Sequence, residues 1–407
     1  MTRSEYTMGE AYPFDFSELS ENDHDNVVDF LSLEEEEQLR VQADSDAVRA
    51  HTAECASHID DILGAAAVLR ASDIHLRAAL PPMFRVDGHL VKSQFPYLDP
   101  ADVERLTYSI LNNDQVAGLQ LKHELDFSHS SADHGRFRAN VYRQRGTLCV
   151  AMRAVPYEVP RFENLNLPNI IRDMAEKTSG FIVVTGPTGS GKSTTIASMI
   201  DYINETQPVH ILTIEDPIEY LHKDKMAMVN QREMHTDTAS FSDALRAVLR
   251  EDPDVILIGE MRDLETISAA ITLAETGHLV FGTLHTRSAA QTIDRIVDVF
   301  EPHHQGQVRL QLANNLLGVV SQLLVPKVGG GRIAALEILT GTNAIKNLIR
   351  EGKTHLIPNT MVTSEAQGMQ LMDKTLASLA AQHAVSLEDA RTRCHDLDSF
   401  DRYLKEF

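Results

Sequence analysis

Residues 181–195 combine an apolar run, a glycine-rich turn and the start of a helix, and this combination restricts the fold more than any other feature of the chain. Four apolar residues precede Thr185, and the sequence then reads Gly186-x4-Gly191-Lys192-Ser193. A strand, this spacing and a helix in that order are typical of a phosphate-binding loop. The chain is therefore predicted to bind a nucleoside triphosphate.

The chemistry of such a loop depends on its backbone. Glycines let the chain bend tightly, so that successive N–H groups point at phosphate oxygens. The helix N-terminus adds partial positive charge, Lys192 reaches the terminal phosphates, and the Ser193 hydroxyl can hold Mg²⁺. A chance glycine-rich turn would not require Lys-Ser at this position. The predicted nucleotide-binding residues are Gly186, Pro187, Thr188, Gly189, Ser190, Gly191, Lys192, Ser193 and Thr194.

The acidic charge of the chain is concentrated at one end. The net charge is −22, and residues 1–50 alone carry 14 acidic against 3 basic side chains. Such a run is typical of a solvated tail, although the interleaved apolar residues at 27–33 also allow a short docking helix. An acidic surface repels a phosphate backbone, so the charge disfavours a DNA or RNA motor.

The sequence contains no signal for export or membrane insertion. No stretch approaches the roughly 18 apolar residues of a membrane span, and the first residues do not resemble a secretory signal. Cys55, Cys149 and Cys394 are far apart, which predicts neither a zinc site nor a disulfide framework. We expect a protein of the reducing cytoplasm.

Four segments follow from changes in pattern along the chain. Residues 1–56 form the acidic extension, and residues 57–155 read as an α+β domain with a helix predicted over 99–122 and a final hairpin at 136–153. The proline-bounded stretch 156–167 is the predicted linker.

A second domain is predicted over 168–345. Strands and helices alternate there, and near-continuous apolar strands such as 255–258 indicate a parallel sheet covered on both faces. From residue 288 onward helices are predicted to dominate, interrupted by one strand at 332–339, and 346–407 are predicted to be helical.

Two carboxylates are candidates for the chemistry. Glu215 and Glu260 each follow a predicted strand of this sheet, and in doubly wound sheets ligands lie beyond the carboxyl ends of the strands. Triphosphate hydrolysis needs an acid that helps to hold magnesium and one that activates the attacking water. A single surface acid at a strand end is common, but two on one sheet favour a functional role.

Histidines and arginines give further candidates. His285 follows the strand predicted at 279–284, where it could sense the γ-phosphate, and His278 precedes that strand. Either histidine could instead be an ordinary structural residue. Arginines also cluster on the hairpin that ends the first domain, and such groups can neutralise transition-state charge or merely solvate the surface; they are Arg136, Arg138, Arg143, Arg145 and Arg153.

Taken together, these motifs resemble the secretion and type IV pilus ATPase family. The matching segments, in order, are 71–88 in the first domain, the phosphate loop, an acidic box at 211–220, a Walker B segment at 254–263, a histidine box at 276–286 and a motif of the pilus-retraction branch at 344–353. The resemblance covers residues 57–407.

The resemblance implies a fold and an assembly. It implies an α/β fold with a PAS-like N-terminal domain, a RecA-like P-loop ATPase core and a helical C-terminal region. It further implies a homohexamer at the inner face of the cytoplasmic membrane. An inner-membrane platform protein and other pilus ATPases would be its partners, without nucleic acid or membrane insertion.

The resemblance also implies roles for residues of this chain. ATP and Mg²⁺ would be the cofactors, with Ser193 and Glu215 at the metal, Glu260 as general base, and His278 and His285 sensing the nucleotide. Three arginines from the same or a neighbouring subunit would complete the site, namely Arg138, Arg143 and Arg153.

The function implied is an ATP-hydrolysing motor that retracts type IV pili. Lys346 replaces an arginine of the family motif, which keeps the charge but loses the planar fork. No four-cysteine zinc element is present, which separates the chain from the extension and secretion branches. The alternatives are the motor of a related type II or type IV secretion system and a non-hydrolysing nucleotide-binding regulator of a partner ATPase.

Overall fold

The computed structural model describes residues 58–86, 88–156 and 158–407. They form two compact units, of which the second contains Gly135–Arg138 and Val155–Phe407 and the first contains the rest. The acidic extension predicted over 1–56 lies outside the described residues, as does Cys55. Cys149 and Cys394 are free thiols.

The first unit is built on a six-stranded sheet with the order β3-β2-β1-β6-β5-β4. Strand β1 pairs antiparallel with both β2 and β6. In chain order the elements are α1 (Ile59–Val68), β1 (Asp73–Arg77), β2 (Met83–Val86), β3 (His89–Lys92), α2 (Pro100–Tyr108), α3 (Asn113–Lys122), β4 (Glu124–Ser131), β5 (Gly135–Gln144) and β6 (Thr147–Val155).

The helical structure predicted over 99–122 is confirmed, and the chain divides this stretch into two helices, α2 and α3. Asn112 is extended, and its side chain accepts a hydrogen bond from the N–H of Gln115 at 2.8 Å. An asparagine that caps a helix in this way begins a new one. Strand β3 was not predicted. All four of its residues are exposed, so no face of it is selected to be apolar.

The second unit alternates strands and helices before a helical C-terminal end. Its elements are α4 (Asn169–Ala175), β7 (Gly180–Thr185), α5 (Lys192–Thr206), β8 (His210–Glu215), β9 (Met228–Glu233), α6 (Phe241–Val248), β10 (Val255–Ile258), α7 (Leu264–Glu275), β11 (Leu279–Leu284), α8 (Ala289–Asp298), α9 (Pro302–Asn315), β12 (Leu316–Pro326), β13 (Arg332–Thr340), α10 (Asn343–Arg350), α11 (Ile357–Thr363), α12 (Met372–Ala381), α13 (Leu387–Arg393) and α14 (Leu397–Leu404).

These strands form one seven-stranded sheet with the order β13-β12-β7-β11-β10-β8-β9. Every neighbouring pair is parallel except β12 and β13. Both faces are covered, because Phe181 and Val183 of β7 pack into one hydrophobic cluster while Ile182 and Val184 pack into another. The carboxyl ends of β7, β11, β10 and β8 therefore meet at one edge of the sheet.

Strand β12 is absent from the sequence prediction, which had helices on both sides of a lone strand at 332–339. Its residues are apolar at nearly every position, and Val319 and Val320 are fully buried. A continuous apolar run cannot distinguish a buried strand from a buried helix. The sheet consequently continues past β7 with β12 and β13, and β12 lies directly beside the strand that precedes the phosphate loop.

Glu337 of β13 joins two helices to the sheet. Its buried carboxylate accepts hydrogen bonds from the N–H of Ala289, at 2.7 Å, and of Met372, at 3.4 Å. These are the first residues of α8 and α12, so one carboxylate faces two positive helix ends. Burial nevertheless raises the pKa of Glu337. None of the helices within the described ranges is long and apolar enough to cross a membrane.

The close approach of Gly341 to β12 gives a test of this sheet. A Cβ on Gly341 would collide with the carbonyl oxygen of Leu316, which is backbone and cannot move aside. We expect Gly341→Ala to destabilise the protein by about 1–3 kcal/mol and to lower its melting temperature. Gly306→Ala is the control, because nothing lies near that position in α9 and alanine favours a helix. Equal melting temperatures for the two variants would contradict this packing.

Candidate active site

The predicted phosphate loop lies between the carboxyl end of β7 and the first turn of α5. Three of its glycines have positive φ, at 146° for Gly186, 77° for Gly189 and 89° for Gly191. Glycine is required for a second reason at two of these positions. A Cβ on Gly186 would collide with the carbonyl oxygen of Gln322, and one on Gly191 would lie 2.7 Å from Nε2 of the same residue.

Gln322 of β12 supports the loop from behind. Its backbone lies against Gly186, and its side-chain Oε1 accepts a hydrogen bond from the Thr195 hydroxyl at 2.8 Å. Gln322 is 3% exposed. Sequence reasoning missed this residue because it missed the strand that carries it.

Lys192 is the first residue of α5, and its side chain folds back over the loop. Its Nζ donates hydrogen bonds to the carbonyl oxygens of Gly186, at 2.9 Å, and Pro187, at 3.1 Å. Burial lowers the pKa of Lys192, while the nearby charges of Glu260 and Glu219 act in the opposite direction. A nearby anion such as a phosphate would stabilise the charged form of this partly buried ammonium group.

Glu215 ends β8 and lines the cavity next to the loop. Its Oε1 accepts hydrogen bonds from the Thr213 hydroxyl, at 2.7 Å, and from Nε2 of Gln231, at 3.1 Å. Burial raises the pKa of Glu215, and these hydrogen bonds oppose the shift. Ser193, also in the cavity, gives a second hard oxygen. Oxygen donors of this kind suit Mg²⁺.

Glu260 follows β10 and lies between two cationic or protonated groups. Arg262 donates to its Oε2 at 2.6 Å, and Nε2 of His285 lies 3.0 Å from its Oε1. Because a carboxylate can only accept, this contact places a proton on Nε2 of His285. The hydrogen bond from Arg262 lowers the pKa of Glu260, and burial opposes it. Glu260 is therefore ionised near neutral pH, as a general base must be.

Gly259 lets the two acidic strand ends come together. A Cβ at this position would lie 3.1 Å from Cα of Glu215 and 3.1 Å from the carbonyl oxygen of Ile214. A larger residue would push the end of β10 away from β8. The close backbone approach places both carboxylates on the same cavity.

His278 does not join this group within the chain. It precedes β11, where its carbonyl oxygen accepts from the N–H of Gly180, the first residue of β7. His285 follows the other end of β11. Because the strand rises about 3.3 Å per residue, the six residues of β11 separate the two histidines by about 20 Å. The His278 ring instead lies 2.9 Å from the carbonyl oxygen of Leu273. Its ring therefore has a local partner within the single chain, and its role toward a nucleotide stays a prediction.

The remaining predicted residues divide between the cavity and other places. The cavity has a volume of about 800 Å³. The predicted residues that line it are Thr188, Gly189, Gly191, Lys192, Ser193, Thr194, Glu215, Glu260, His285 and Arg138. Arg143 and Arg153 belong to the first unit, where they bond to the carbonyl oxygen of Gly146 and to Asp73. Their part in a nucleotide site stays a prediction.

The segment 344–353 overlaps α10, and two of its three basic side chains, Lys346 and Arg350, contact the same neighbour. Nζ of Lys346 donates to the carbonyl oxygen of Asn314 at 3.1 Å, and Arg350 donates to the side-chain Oδ1 of Asn314 at 3.0 Å. A lysine satisfies this single carbonyl contact without the fork of an arginine.

Another group with the spacing of metal ligands occurs at the start of α9. It consists of Glu301, His303 and His304, all exposed, and none of them lines the nucleotide cavity. Exposed histidines beside an acid are common without a metal, and this group carries no functional assignment here.

Residues 49–393 match a family described as type II/IV secretion system protein. The chain is 48% identical over 342 residues to the type IV pilus retraction ATPase PilT of Pseudomonas aeruginosa, covering 84% of this chain and 99% of that protein. It is 49% identical over 319 residues to a twitching motility protein of Neisseria gonorrhoeae, covering 78% and 85% respectively.

Solved structures give a similar result. The crystal structure of the pilus retraction motor PilT with bound ADP superposes with a TM-score of 0.79 at 50% identity, covering 85% of this chain and 99% of that one. The ATPase DotB of Legionella pneumophila superposes with a TM-score of 0.67 at 30% identity, covering 82% and 94%.

The contact between Gly191 and Gln322 can be tested directly. We expect Gly191→Ala to weaken the binding of a fluorescent ADP analogue at least about tenfold, because the added Cβ distorts the loop and breaks its backbone cradle. Gly146→Ala is the matched control, since Gly146 also has positive φ but has open space around it. Wild-type affinity in the Gly191 variant would show that the loop does not bind nucleotide.

Proposed function

Because this chain belongs to the type II/IV secretion system protein family, we propose that it is an ATP-hydrolysing motor that retracts type IV pili. One observation carries the hydrolytic part of the proposal: Lys192, Glu215, Glu260 and His285 line a single cavity at the carboxyl edge of the sheet. The two relatives above cover most of this chain, and one of them is named for pilus retraction.

The residues of the cavity divide the chemistry between them. The loop N–H groups and Lys192 bind the phosphates, and their charge stabilises the negative charge that develops during transfer. Ser193 and Glu215 would hold Mg²⁺, which would neutralise part of the charge of the phosphates when bound. Glu260 accepts a proton from the attacking water, and Arg262 and His285 fix its orientation through both oxygens.

Arginine side chains would complete the site. Arg138 lines the cavity, whereas Arg143 and Arg153 are exposed on the first unit. In a hexameric ring these groups are available to the same or a neighbouring subunit, where they would neutralise transition-state charge. Hydrolysis would then move one domain against another, and the ring would transmit this motion to a platform protein at the inner face of the cytoplasmic membrane.

A secretion motor is the second candidate, and the comparisons weigh against it. DotB shares the fold but only 30% of its residues with the chain, against 50% for the PilT structure. A non-hydrolysing regulator would not need Glu260 in its ionised, doubly held position. The retraction motor is therefore the function that the observations support best.

Replacing the general base tests the hydrolytic mechanism. We expect Glu260→Gln to lower Mg²⁺-dependent phosphate release at least about a hundredfold, because an amide cannot accept the proton of the water. Nucleotide affinity should change little, since the phosphate loop is intact. Glu265→Gln, an exposed position in the first turn of α7, is the control. Undiminished turnover in the Glu260 variant would remove this residue from the base role.

A gene deletion tests the direction of the motor. Loss of twitching with retained or excess surface pili is expected of a retraction motor, and complementation with the wild-type chain should restore motility. The Glu260→Gln chain should fail to complement, which controls for a purely structural contribution. Complete loss of surface pili on deletion would contradict retraction.

A further inference from the structure

The side chain of Gln231 makes three hydrogen bonds, through both of its N–H donors and its carbonyl oxygen. Gln231 lies on β9 beside Thr213 of β8, because the two residues are partners in the parallel register. Side chains at partner positions point to the same face, and Glu215, two residues after Thr213, shares that face. Gln231 therefore lies where it can reach the acid at the end of the neighbouring strand.

Three contacts connect this amide to the cavity wall. Nε2 donates to Oε1 of Glu215 at 3.1 Å and to the carbonyl oxygen of Tyr220 at 2.9 Å. Oε1 accepts from the N–H of His222 at 2.9 Å. Both N–H donors and the carbonyl are used, which fixes the orientation of the amide.

The backbone that Gln231 holds is itself attached to the phosphate-loop helix. The Tyr220 hydroxyl lies 2.9 Å from Oγ1 of Thr194, in the first turn of α5. The His222 side chain is 3% exposed, and its Nδ1 lies 3.9 Å from Oδ1 of Asp201, which is also on α5. The stretch 220–222 is thus joined to α5 by the Tyr220 hydroxyl and to β9 by the Gln231 amide, while the His222 ring lies close to Asp201 without a hydrogen bond to it.

We propose that Gln231 is a positioning residue that fixes the Glu215 carboxylate at a set distance from the phosphate-loop helix. The assignment rests on the proposed function, because Glu215 matters for turnover only if the cavity hydrolyses a nucleotide. Thr213 and Gln231 both donate to the same oxygen of Glu215, so they set the plane of the carboxylate as well as its place. Gln231 itself is absent from the residues that line the cavity.

Two substitutions separate positioning from packing. Gln231→Glu preserves the shape but turns oxygen lone pairs toward the Glu215 carboxylate and the Tyr220 carbonyl, which repels both. Gln231→Leu removes the hydrogen bonds without adding repulsion. We expect kcat to fall about tenfold in the leucine variant and further in the glutamate variant, since small displacements of a catalytic group cost about this much.

The control is Asn230→Leu, on the same strand with its exposed side chain on the opposite face. It should leave kcat within about twofold of wild type. Affinity for a fluorescent ADP analogue should stay within about threefold in all variants, because the phosphate loop is unchanged. A loss confined to kcat, with the glutamate variant worse than the leucine variant, supports the assignment.

Other results for the Gln231 variants would contradict the positioning role. Unchanged kcat in both Gln231 variants, or a milder defect in the glutamate variant accompanied by melting temperatures that fall in step with activity, would make Gln231 a packing residue. If the wild-type protein releases no phosphate from ATP with Mg²⁺, the proposed function fails instead. In that case, the rate of backbone amide hydrogen exchange at residues 220–222 is measured in the nucleotide-free full chain. Faster exchange in Gln231→Leu than in wild type supports the proposed role of Gln231, and unchanged exchange refutes it.

Discussion

The parallel alignment of β7, β8, β10 and β11 is the constraint on which the rest of the site depends. Because all four strands run the same way, whatever follows each of them is delivered to one edge of the sheet. The phosphate loop, Glu215, Glu260 and His285 come from four separate stretches of sequence and meet for this reason alone. The side chains of β7 alternate between two buried clusters, so a shift of one residue would exchange the side chains of the two cores and disrupt the packing of both.

Much of this arrangement could be predicted from the sequence. The fold class is confirmed by the likeness to solved structures of the same kind, with its RecA-like core, PAS-like N-terminal domain and helical C-terminal end. The strand at 181–185 and the strand at 279–284 carried clear signals, because an apolar run bounded by glycine and polar residues has few alternatives. Glu215 and Glu260 were predictable because each lies at or just beyond the carboxyl end of such a strand.

The features that were not predictable depend on which strands become neighbours. Strand β12 is mostly apolar, so its pattern did not distinguish it from a helix, and Gln322 was lost with it. Gln231 reaches Glu215 only because β9 pairs with β8 in one register. His278 and His285 lie at opposite ends of β11, as their places before and after the predicted strand imply, and only His285 lines the cavity. Which strands pair, and in which direction, is determined by tertiary structure and cannot be read from the local periodicity of the sequence.

The buried carboxylate of Glu337 has a mechanical consequence. It holds the first residue of α8, which begins four residues after His285, and the first residue of α12. The loop that carries His285 and the C-terminal helices are thus anchored to the same pair of oxygens. Any shift of that loop would strain two hydrogen bonds to one buried side chain. The sheet edge that carries His285 and the C-terminal helices of the second unit are therefore mechanically coupled through the side chain of Glu337.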